Sequence, residues 1–342
     1  MGLSFGVIGY GYWGPNLARN IFEEDEARLT MIADQRQARL KLAAKRFPHI
    51  DLVEDSADVI RSPKTDAVVI ATPVKTHYAL AKAALEQGKH VLIEKPLTAS
   101  VAEAEELVNL AEQKNRTLMV DHTFVYTGAV RMIHKLLESG EIGNPLYFDS
   151  MRVNLGLFQS DVNVLWDLAP HDVSIMDFLF QRSPVGLTAS GSTHFGSRHE
   201  NIAFMTVFYP DHLVAHINVS WISPVKIRLM LIGGDKKMIV YDDTEPSEKV
   251  KVYDRGVDMK NNGQNEESVY DILVQYRIGS MQAPRLEAME ALRMEIRHFL
   301  DCVKNGDRPQ TDGRAGMRVV QILEAAARSI KQRGAFQELN LE

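Results

Sequence analysis

The chain opens on a short, wholly apolar run at Phe5–Ile8. Pro15–Phe22 follows with helical spacing, placing Leu17, Ala18 and Ile21 on one face. The same alternation continues. Apolar strands are predicted at Leu29–Ala33, Ala67–Ile70, His90–Ile93 and Thr117–Val120, with helices at Gln37–Phe47, His77–Gln87 and Ser100–Lys114 between them. These strands are continuous apolar runs rather than alternating ones, the pattern of strands covered on both faces. Strand–helix repetition of this kind predicts an α/β fold with a doubly wound parallel sheet, a Rossmann domain over residues 1–125.

Beyond that point the rhythm changes. Ala129–Leu137 is amphipathic and ends in the turn SGEIG. Strand-like segments then follow one another: Leu146–Asn154, Gly186–Ser192, Ile202–Tyr209, Leu213–Trp221, Ile227–Ile232 and Met238–Tyr241. Several alternate apolar and polar positions, as Leu213, Ala215, Ile217 and Val219 do against His212, His216, Asn218 and Ser220. Residues 126–342 are therefore expected to form an α+β domain. Its sheet should be large, open and mostly antiparallel, with one wetter face. Val257–Ala283 is polar and weakly patterned and reads as a mobile loop or arm. Two helices, 285–304 and 314–333, close the chain and are candidates to pack back on the first domain.

Composition narrows the partners. The 342 residues are 45% hydrophobic and 25% charged, with a net charge of −6. That balance disfavours nucleic acid or an anionic membrane as partner. A single cysteine, Cys302, offers no disulfide framework or thiolate metal site. The start lacks the basic region and cleavage site of a secretory leader, and no apolar run is long enough to span a bilayer. A cytoplasmic protein with a small-molecule partner is expected.

Candidate chemistry begins after the first strand, in VIGYGYWGPN. Gly9 would make the tight turn, Gly11 would admit a pyrophosphate close to the backbone, and Gly14 would let helix and strand pack closely. Tyr12 and Trp13 complete the loop, and Pro15 suits a first helical turn. The helix N-terminus offers free N–H groups to phosphates. The acid such a fingerprint requires some 20 residues on is Asp34, at the end of the second strand. A carboxylate there favours NAD; Arg36 beside it could tolerate a 2′-phosphate, which keeps NADP as the alternative.

A second signal is Glu94-Lys95-Pro96, at the carboxyl end of the strand His90–Ile93, where open α/β sheets bind ligands. A third is Trp166-Asp167-Leu168-Ala169-Pro170-His171-Asp172, in which Asp167 and His171 are spaced to share one helix face.

These motifs, with ATP-x3-H at Ala71–His77, the SGEIGNP turn and the terminal NGDRPQTDGRAGMRVVQILEAAARS, resemble the glucose–fructose oxidoreductase, inositol dehydrogenase and MocA family across nearly the full chain. The resemblance implies an NAD(P)-dependent oxidoreductase acting on CH–OH groups of sugars and polyols. It implies that Lys95, His171 and Asp167 are catalytic and face the nicotinamide. It places Thr72, Pro73, His77, Glu94 and Lys95 beside the glycine loop, Asp34 and Arg36 in the cofactor site. Two positions depart from the common family pattern: Ala169 stands where Gly is usual and Ser174 where an acid is usual, while acids occur at Asp172 and Asp177.

Oxidising a secondary alcohol needs a base for the hydroxyl proton and an acceptor for the hydride. His171 is the expected base, Lys95 the group that stabilises alkoxide charge, and Asp167 the residue that orients His171 or Lys95 or binds a neighbouring hydroxyl. VDHTFVY at Val120–Tyr126 and the stretch Arg152–Asp172 resemble a branch acting on nucleotide-activated sugars in surface-polysaccharide pathways. That implies C3 oxidation of a UDP-N-acetylhexosamine such as UDP-N-acetylglucosamine. His122, Arg152 and Asn154, with Lys95, Asp167 and His171, are the candidate substrate-binding residues. The alternatives are an NADPH-dependent ketoreductase on a 3-keto dTDP- or UDP-sugar, a polyol or inositol dehydrogenase, and a non-catalytic NAD(H)-binding regulator. No metal is expected, because His194, His199, His212 and His216 lack carboxylate partners at metal-site spacing. A homodimer or homotetramer through the C-terminal sheet is expected.

Overall fold

The computed structural model describes all residues except 1, 157, 160, 161, 255, 260–273, 278 and 342. Along the first part run β1 (Leu3–Ile8), α1 (Gly14–Phe22), β2 (Ala27–Ala33), α2 (Gln37–Arg46), β3 (Asp51–Val53), α3 (Ser56–Arg61), β4 (Ala67–Ile70), α4 (His77–Glu86), β5 (His90–Glu94), α5 (Val101–Lys114) and β6 (Leu118–Asp121). The six strands are all parallel, in the order β3-β2-β1-β4-β5-β6. Every residue of β4 is fully buried, as a strand with helices on both faces must be. Side-chain caps set several helix starts: the Ser100 hydroxyl accepts the Glu103 N–H ahead of α5, and Asn115 in left-handed conformation ends it. β3 and α3 are too short to stand out in the hydropathy pattern.

A 3₁₀ turn, Thr123–Tyr126, leads to α6 (Gly128–Glu138), β7 (Pro145–Leu155) and α7 (Val164–Phe180). Next come β8 (Gly186–Ser192), β9 (Ile202–Phe208), β10 (Val214–Ser220), β11 (Ile222–Gly234), β12 (Met238–Asp242) and β13 (Val250–Tyr253). The chain ends with β14 (Gly256–Met259), β15 (Val274–Arg277), β16 (Met281–Gln282), α8 (Ala291–Asn305), α9 (Gly313–Lys331) and β17 (Gln337–Glu338). Nine strands form one sheet, β16-β13-β12-β11-β7-β10-β9-β8-β17. It is mixed rather than purely antiparallel: β7 and β10 run parallel, and the other recorded pairs are antiparallel. Alternation along a strand reports which faces are wet and says nothing of strand direction. Part of the stretch expected to be a loop, Val257–Ala283, forms the β14–β15 hairpin and β16; residues 260–273 of it lie outside the described residues.

One face of the nine-stranded sheet is covered by α7, whose Val164, Leu165, Val173, Met176 and Leu179 enter a core shared with Ala203, Met205, Ala215, Ile217 and Val219. The last two helices bridge the sheets. α8 packs on α1 and the 3₁₀ turn, and α9 touches α5, β6, α7 and β8. Arg318 of α9 grips Asp177 of α7 through both carboxylate oxygens, at 2.9 and 2.7 Å. Thr311, at the entrance to α9, bonds Val120 of β6 in both directions: its carbonyl accepts the Val120 N–H and its hydroxyl donates to the Val120 carbonyl, each at 2.8 Å. These contacts fix α7 against the carboxyl ends of β5 and β6.

Candidate active site

The glycine loop has the geometry its spacing predicts. Gly9 has φ +97°, and a Cβ there would meet the Ala71 carbonyl oxygen at 2.4 Å. A Cβ on Gly14 would lie 2.0 Å from the Gly9 carbonyl oxygen, whereas one on Gly11 would meet only an Arg36 Nη2 at 3.6 Å. Two of the glycines are thus required by packing, and the third leaves space above the loop. α1 begins without a side-chain cap and without an acid in its first turn, so no side chain competes with an anion for its N-terminus. Tyr12 and Trp13 project beside this opening, 82% and 40% exposed.

Asp34 follows the last residue of β2. Its carboxylate accepts the Tyr10 N–H at 2.8 Å and both Nε and Nη2 of Arg36 at 2.9 Å. Burial pushes this acid up, but the Arg36 and backbone hydrogen bonds outweigh it and hold it below the usual carboxylate range. A dinucleotide's adenosine half fits this edge: an ionised acceptor, an open glycine and a helix terminus with no side-chain cap. Arg36 lies over the same edge, where a 2′-phosphate would also find a cation.

Beyond β4, the His77 ring is buried with Nδ1 facing the Pro96 carbonyl at 2.9 Å and Nε2 the Thr72 carbonyl at 2.8 Å. It ties the loop carrying Thr72 and Pro73 to the loop carrying Lys95. Burial keeps its pKa low. His77 thus shapes the cofactor edge from beneath rather than presenting a ring to it.

Lys95 leaves the end of β5 and reaches α7. Its ammonium donates to the Asp167 carbonyl oxygen at 2.7 Å and lies 3.6 Å from the Asp167 carboxylate. The other carboxylate oxygen of Asp167 accepts the Trp221 indole N–H at 3.0 Å. Asp167 therefore holds Lys95, not His171. One helical turn on, His171 packs against the Phe124 ring, 4.9 Å between centroids, with no hydrogen-bond partner for its Nδ1. Burial first, then the charges of Lys95, Arg152 and Arg228, lower its pKa well below the ordinary value. It is a neutral base at neutral pH.

α7 is anchored by the acids that flank the pair. Asp172 is fully buried and binds Arg152 by two hydrogen bonds, 2.8 and 3.0 Å, while accepting the Ser150 hydroxyl at 2.9 Å. The Ser174 hydroxyl turns back to the His171 carbonyl at 2.9 Å. Ala169 and Ser174, the two departures from the usual pattern, are both buried within the helix packing.

The substrate candidates separate. His122 is buried beside Lys95, with neither ring nitrogen partnered and its pKa pushed down to about 3 by burial and then by Lys95. Arg152 stands behind the cleft, sealed on Asp172 and stacked on Phe124, 4.5 Å from the ring centroid. Asn154 follows on the same strand and face, half-buried. The Glu94 carboxyl turns inward, 8% exposed, against Asp121, so its side chain belongs to the interior rather than to the cofactor edge.

That interior holds a feature the sequence reading missed. Asp121 contacts both Glu94 and Glu295 of α8, and all three carboxyls are buried. Burial, then neighbouring carboxylate charge, raises Glu94 and Glu295 well above the ordinary range. The signal was present: Glu295 sits on the apolar face of α8, between Leu292 and Ile296 and Phe299. Among the described residues, no three His, Cys, Asp or Glu side chains are grouped to hold a metal ion.

Known proteins are similar to this chain over most of its length. The oxidoreductase family's NAD-binding Rossmann fold matches residues 3–122, and its C-terminal alpha/beta domain matches residues 134–337. Inositol 2-dehydrogenase 1 of Mycolicibacterium vanbaalenii is 32% identical over 244 residues, 68% of this chain and 71% of that one. UDP-N-acetylglucosamine 3-dehydrogenase of Acidithiobacillus ferrooxidans is 26% identical over 331 residues, 92% of this chain and 93% of that one. A solved structure of UDP-N-acetylglucosamine 3-dehydrogenase from that organism superposes with a TM-score of 0.82 at 24% identity, covering 97% of this chain and 98% of the other. The glycine loop with Asp34, Lys95 at the end of β5, and the paired helix residues thus belong to a member of the glucose–fructose oxidoreductase, inositol dehydrogenase and MocA family, an NAD(P)-dependent oxidoreductase of sugars and polyols.

Proposed function

We propose that this oxidoreductase uses NAD to oxidise C3 of a UDP-N-acetylhexosamine such as UDP-N-acetylglucosamine, with Lys95, Asp167 and His171 as its catalytic group. The observation that supports this best is the convergence of Lys95 from β5 with Asp167 and His171 from α7. The similarity to UDP-N-acetylglucosamine 3-dehydrogenase over 92% of the chain favours a nucleotide sugar. Residues 1–125 carry the cofactor in this reading, and residues 126–342 carry the sugar and the subunit contacts.

The nicotinamide, when bound, supplies the hydride acceptor. His171, kept neutral by burial and by the cations around it, takes the hydroxyl proton. A base with a lowered pKa is weak, so the hydroxyl must itself be acidified. Lys95 does this, because its ammonium stabilises negative charge developing on the same oxygen. Asp167 fixes Lys95 through its carbonyl and carboxylate, and Trp221 fixes Asp167. His122, buried and unpartnered beside Lys95, is the residue this reading assigns to a sugar hydroxyl.

Arg36 favours a second reading. Its guanidinium lies on Asp34, at the edge that would carry a 2′-phosphate, as an NADPH-dependent ketoreductase on a 3-keto nucleotide sugar would require. The protein is proposed to act in the cytoplasm as a homodimer or homotetramer through the uncovered face of the large sheet. Phe204 is 37% exposed there and stacks with His216. No described helix is long and apolar enough to cross a membrane.

The deciding experiment follows NADH formation from NAD⁺ and UDP-N-acetylglucosamine with a ketone trap, beside NADP⁺ and a panel of inositols. Trap-dependent NADH from the nucleotide sugar is the expected result. NADH from inositols alone would replace the substrate, and a preference for NADP⁺ would favour the ketoreductase.

A further inference from the structure

β7 and β11 pair antiparallel, with Arg152 directly opposite Arg228. Directly opposed residues project from one face of a sheet, so both guanidiniums emerge on the side that α7 covers. They converge on a single ring: Arg152 lies 4.5 Å and Arg228 5.8 Å from the Phe124 centroid. The same ring packs on His171. Strand register therefore carries two cations to the proposed base.

The two are held differently. Arg152 is sealed against Asp172 and is neutralised within the protein. The Arg228 side chain is 36% exposed, and its recorded ion pair is one contact, Nη1 to Asp243 at 3.1 Å. Asp243 is shared: the Lys249 ammonium lies 3.5 Å from its carboxylate, and the Tyr241 hydroxyl donates to it at 3.1 Å. One carboxylate thus faces two cations at a solvent-accessible corner of the site. Burial pushes Asp243 up, but the Arg228 hydrogen bond and the Lys249 charge outweigh it and keep it ionised.

A guanidinium has five N–H donors in a planar fork suited to carboxylates and phosphates. Held by one partner and open to solvent, Arg228 retains donors for a second. We propose that Arg228, supported by Lys249, binds an oxyanion of the substrate, a carboxylate or a phosphate, by exchanging Asp243 for it. The enzyme would then select anionic sugars over neutral polyols. The proposal rests on the reading of the Lys95–His171 cleft as the alcohol site, and it assigns a charge to what that cleft takes.

The test uses the NAD⁺-loaded full chain, titrated with UDP-N-acetylglucosamine, D-glucuronate and neutral myo-inositol. Wild type is compared with Arg228→Gln and Asp243→Asn. Arg228→Gln should weaken the anionic ligand that binds by about 10- to 100-fold, the scale of a lost charge-assisted hydrogen bond, and should shift myo-inositol far less. Asp243→Asn should act in the opposite direction, because it removes the competing carboxylate. Anion affinity should also fall with added KCl. Glucuronate binding that depends on Arg228, without UDP-N-acetylglucosamine binding, would sink the nucleotide-sugar reading and keep this one. Anion affinity unmoved by Arg228→Gln would overturn the proposal, as would weakening by Asp243→Asn or binding of myo-inositol in preference to both anions.

Discussion

The Lys95 ammonium is bound to Asp167 twice, through the main-chain carbonyl at 2.7 Å and the carboxylate at 3.6 Å. The two contacts separate the roles of the residues. Lys95→Ala removes the cation from the cleft and should lower kcat by about a hundredfold or more, the scale of a lost charge-stabilising group. His171→Ala should cost a similar amount. Asp167→Asn keeps the carbonyl contact and an oxygen for Trp221, so it should cost less than either. Steady-state kcat for the three variants checks the order. Asp167→Asn as damaging as Lys95→Ala would make the carboxylate a direct participant.

Cofactor choice turns on Asp34 and Arg36, which are joined by three hydrogen bonds, two from the guanidinium and one from the Arg36 N–H. Asp34→Ala removes the ribose acceptor and frees the guanidinium. KM for NAD should rise by about 10- to 100-fold, as for loss of a hydrogen bond to a charged group, while NADP use improves. Arg36→Ala should weaken NADP and spare NAD. Initial rates with both cofactors decide it, and unchanged NAD kinetics in Asp34→Ala would remove Asp34 from the site.

The buried carboxyls predict a pH effect of definite sign. Glu295 is raised well above its ordinary value of 4.5, so the folded protein holds a proton there that the unfolded chain has released. Its contribution to stability is full below the unfolded pKa and is lost as pH rises through the folded one. Around it lie Asp121, Glu94, His122 and Tyr126. Glu295→Gln keeps the shape without the titration. Its thermal midpoint should fall less than the wild-type midpoint as pH is raised from the carboxyl range toward alkaline values. Parallel curves for the two proteins would show that Glu295 holds no such proton.

Removing one member of the Arg152–Asp172 pair should be far worse than changing a surface ion pair. Both side chains are nearly inaccessible, 4% and 1%, so Asp172→Asn leaves an uncompensated guanidinium in the core. The expected loss is about 3–5 kcal/mol in urea unfolding. A loss below about 1 kcal/mol, the scale of exposed pairs, would mean that water reaches the site.

Much of this was readable from the chain because local chemistry and tertiary demand coincide. Continuous apolar strands, Gly9, Gly11 and Gly14, the acid at Asp34 and Lys95 after β5 each follow from one segment and its period. What escaped depends on contacts between distant segments. Glu295 meets Asp121 and Glu94 only because α8 packs back on the 3₁₀ turn after β6. Arg228 meets Phe124 only through the register of β11 on β7. The parallel β7–β10 pair is likewise invisible in either strand's alternation. Arg152 illustrates the limit most clearly: its place in the chain suggested a ligand contact, and its partner Asp172 lies on another element.

The three glycines of the loop provide the sharpest separation of fold from binding. A methyl at Gly14 would sit 2.0 Å from the Gly9 carbonyl oxygen, a backbone atom that cannot turn away. Gly14→Ala must therefore part α1 from β1 and should lower the thermal midpoint with or without cofactor. A methyl at Gly11 would meet only the end of Arg36, at 3.6 Å, which is ordinary contact with a flexible side chain. Gly11→Ala should change stability without cofactor by no more than about 0.5 kcal/mol, as at a tolerant site. It should nonetheless abolish most of the stabilisation by NAD⁺, because the methyl fills the space a pyrophosphate needs. Thermal scans with and without NAD⁺ test both variants. If Gly11→Ala kept its full NAD⁺ shift, the pyrophosphate would lie elsewhere, and the functional reading built from this loop would lose its anchor.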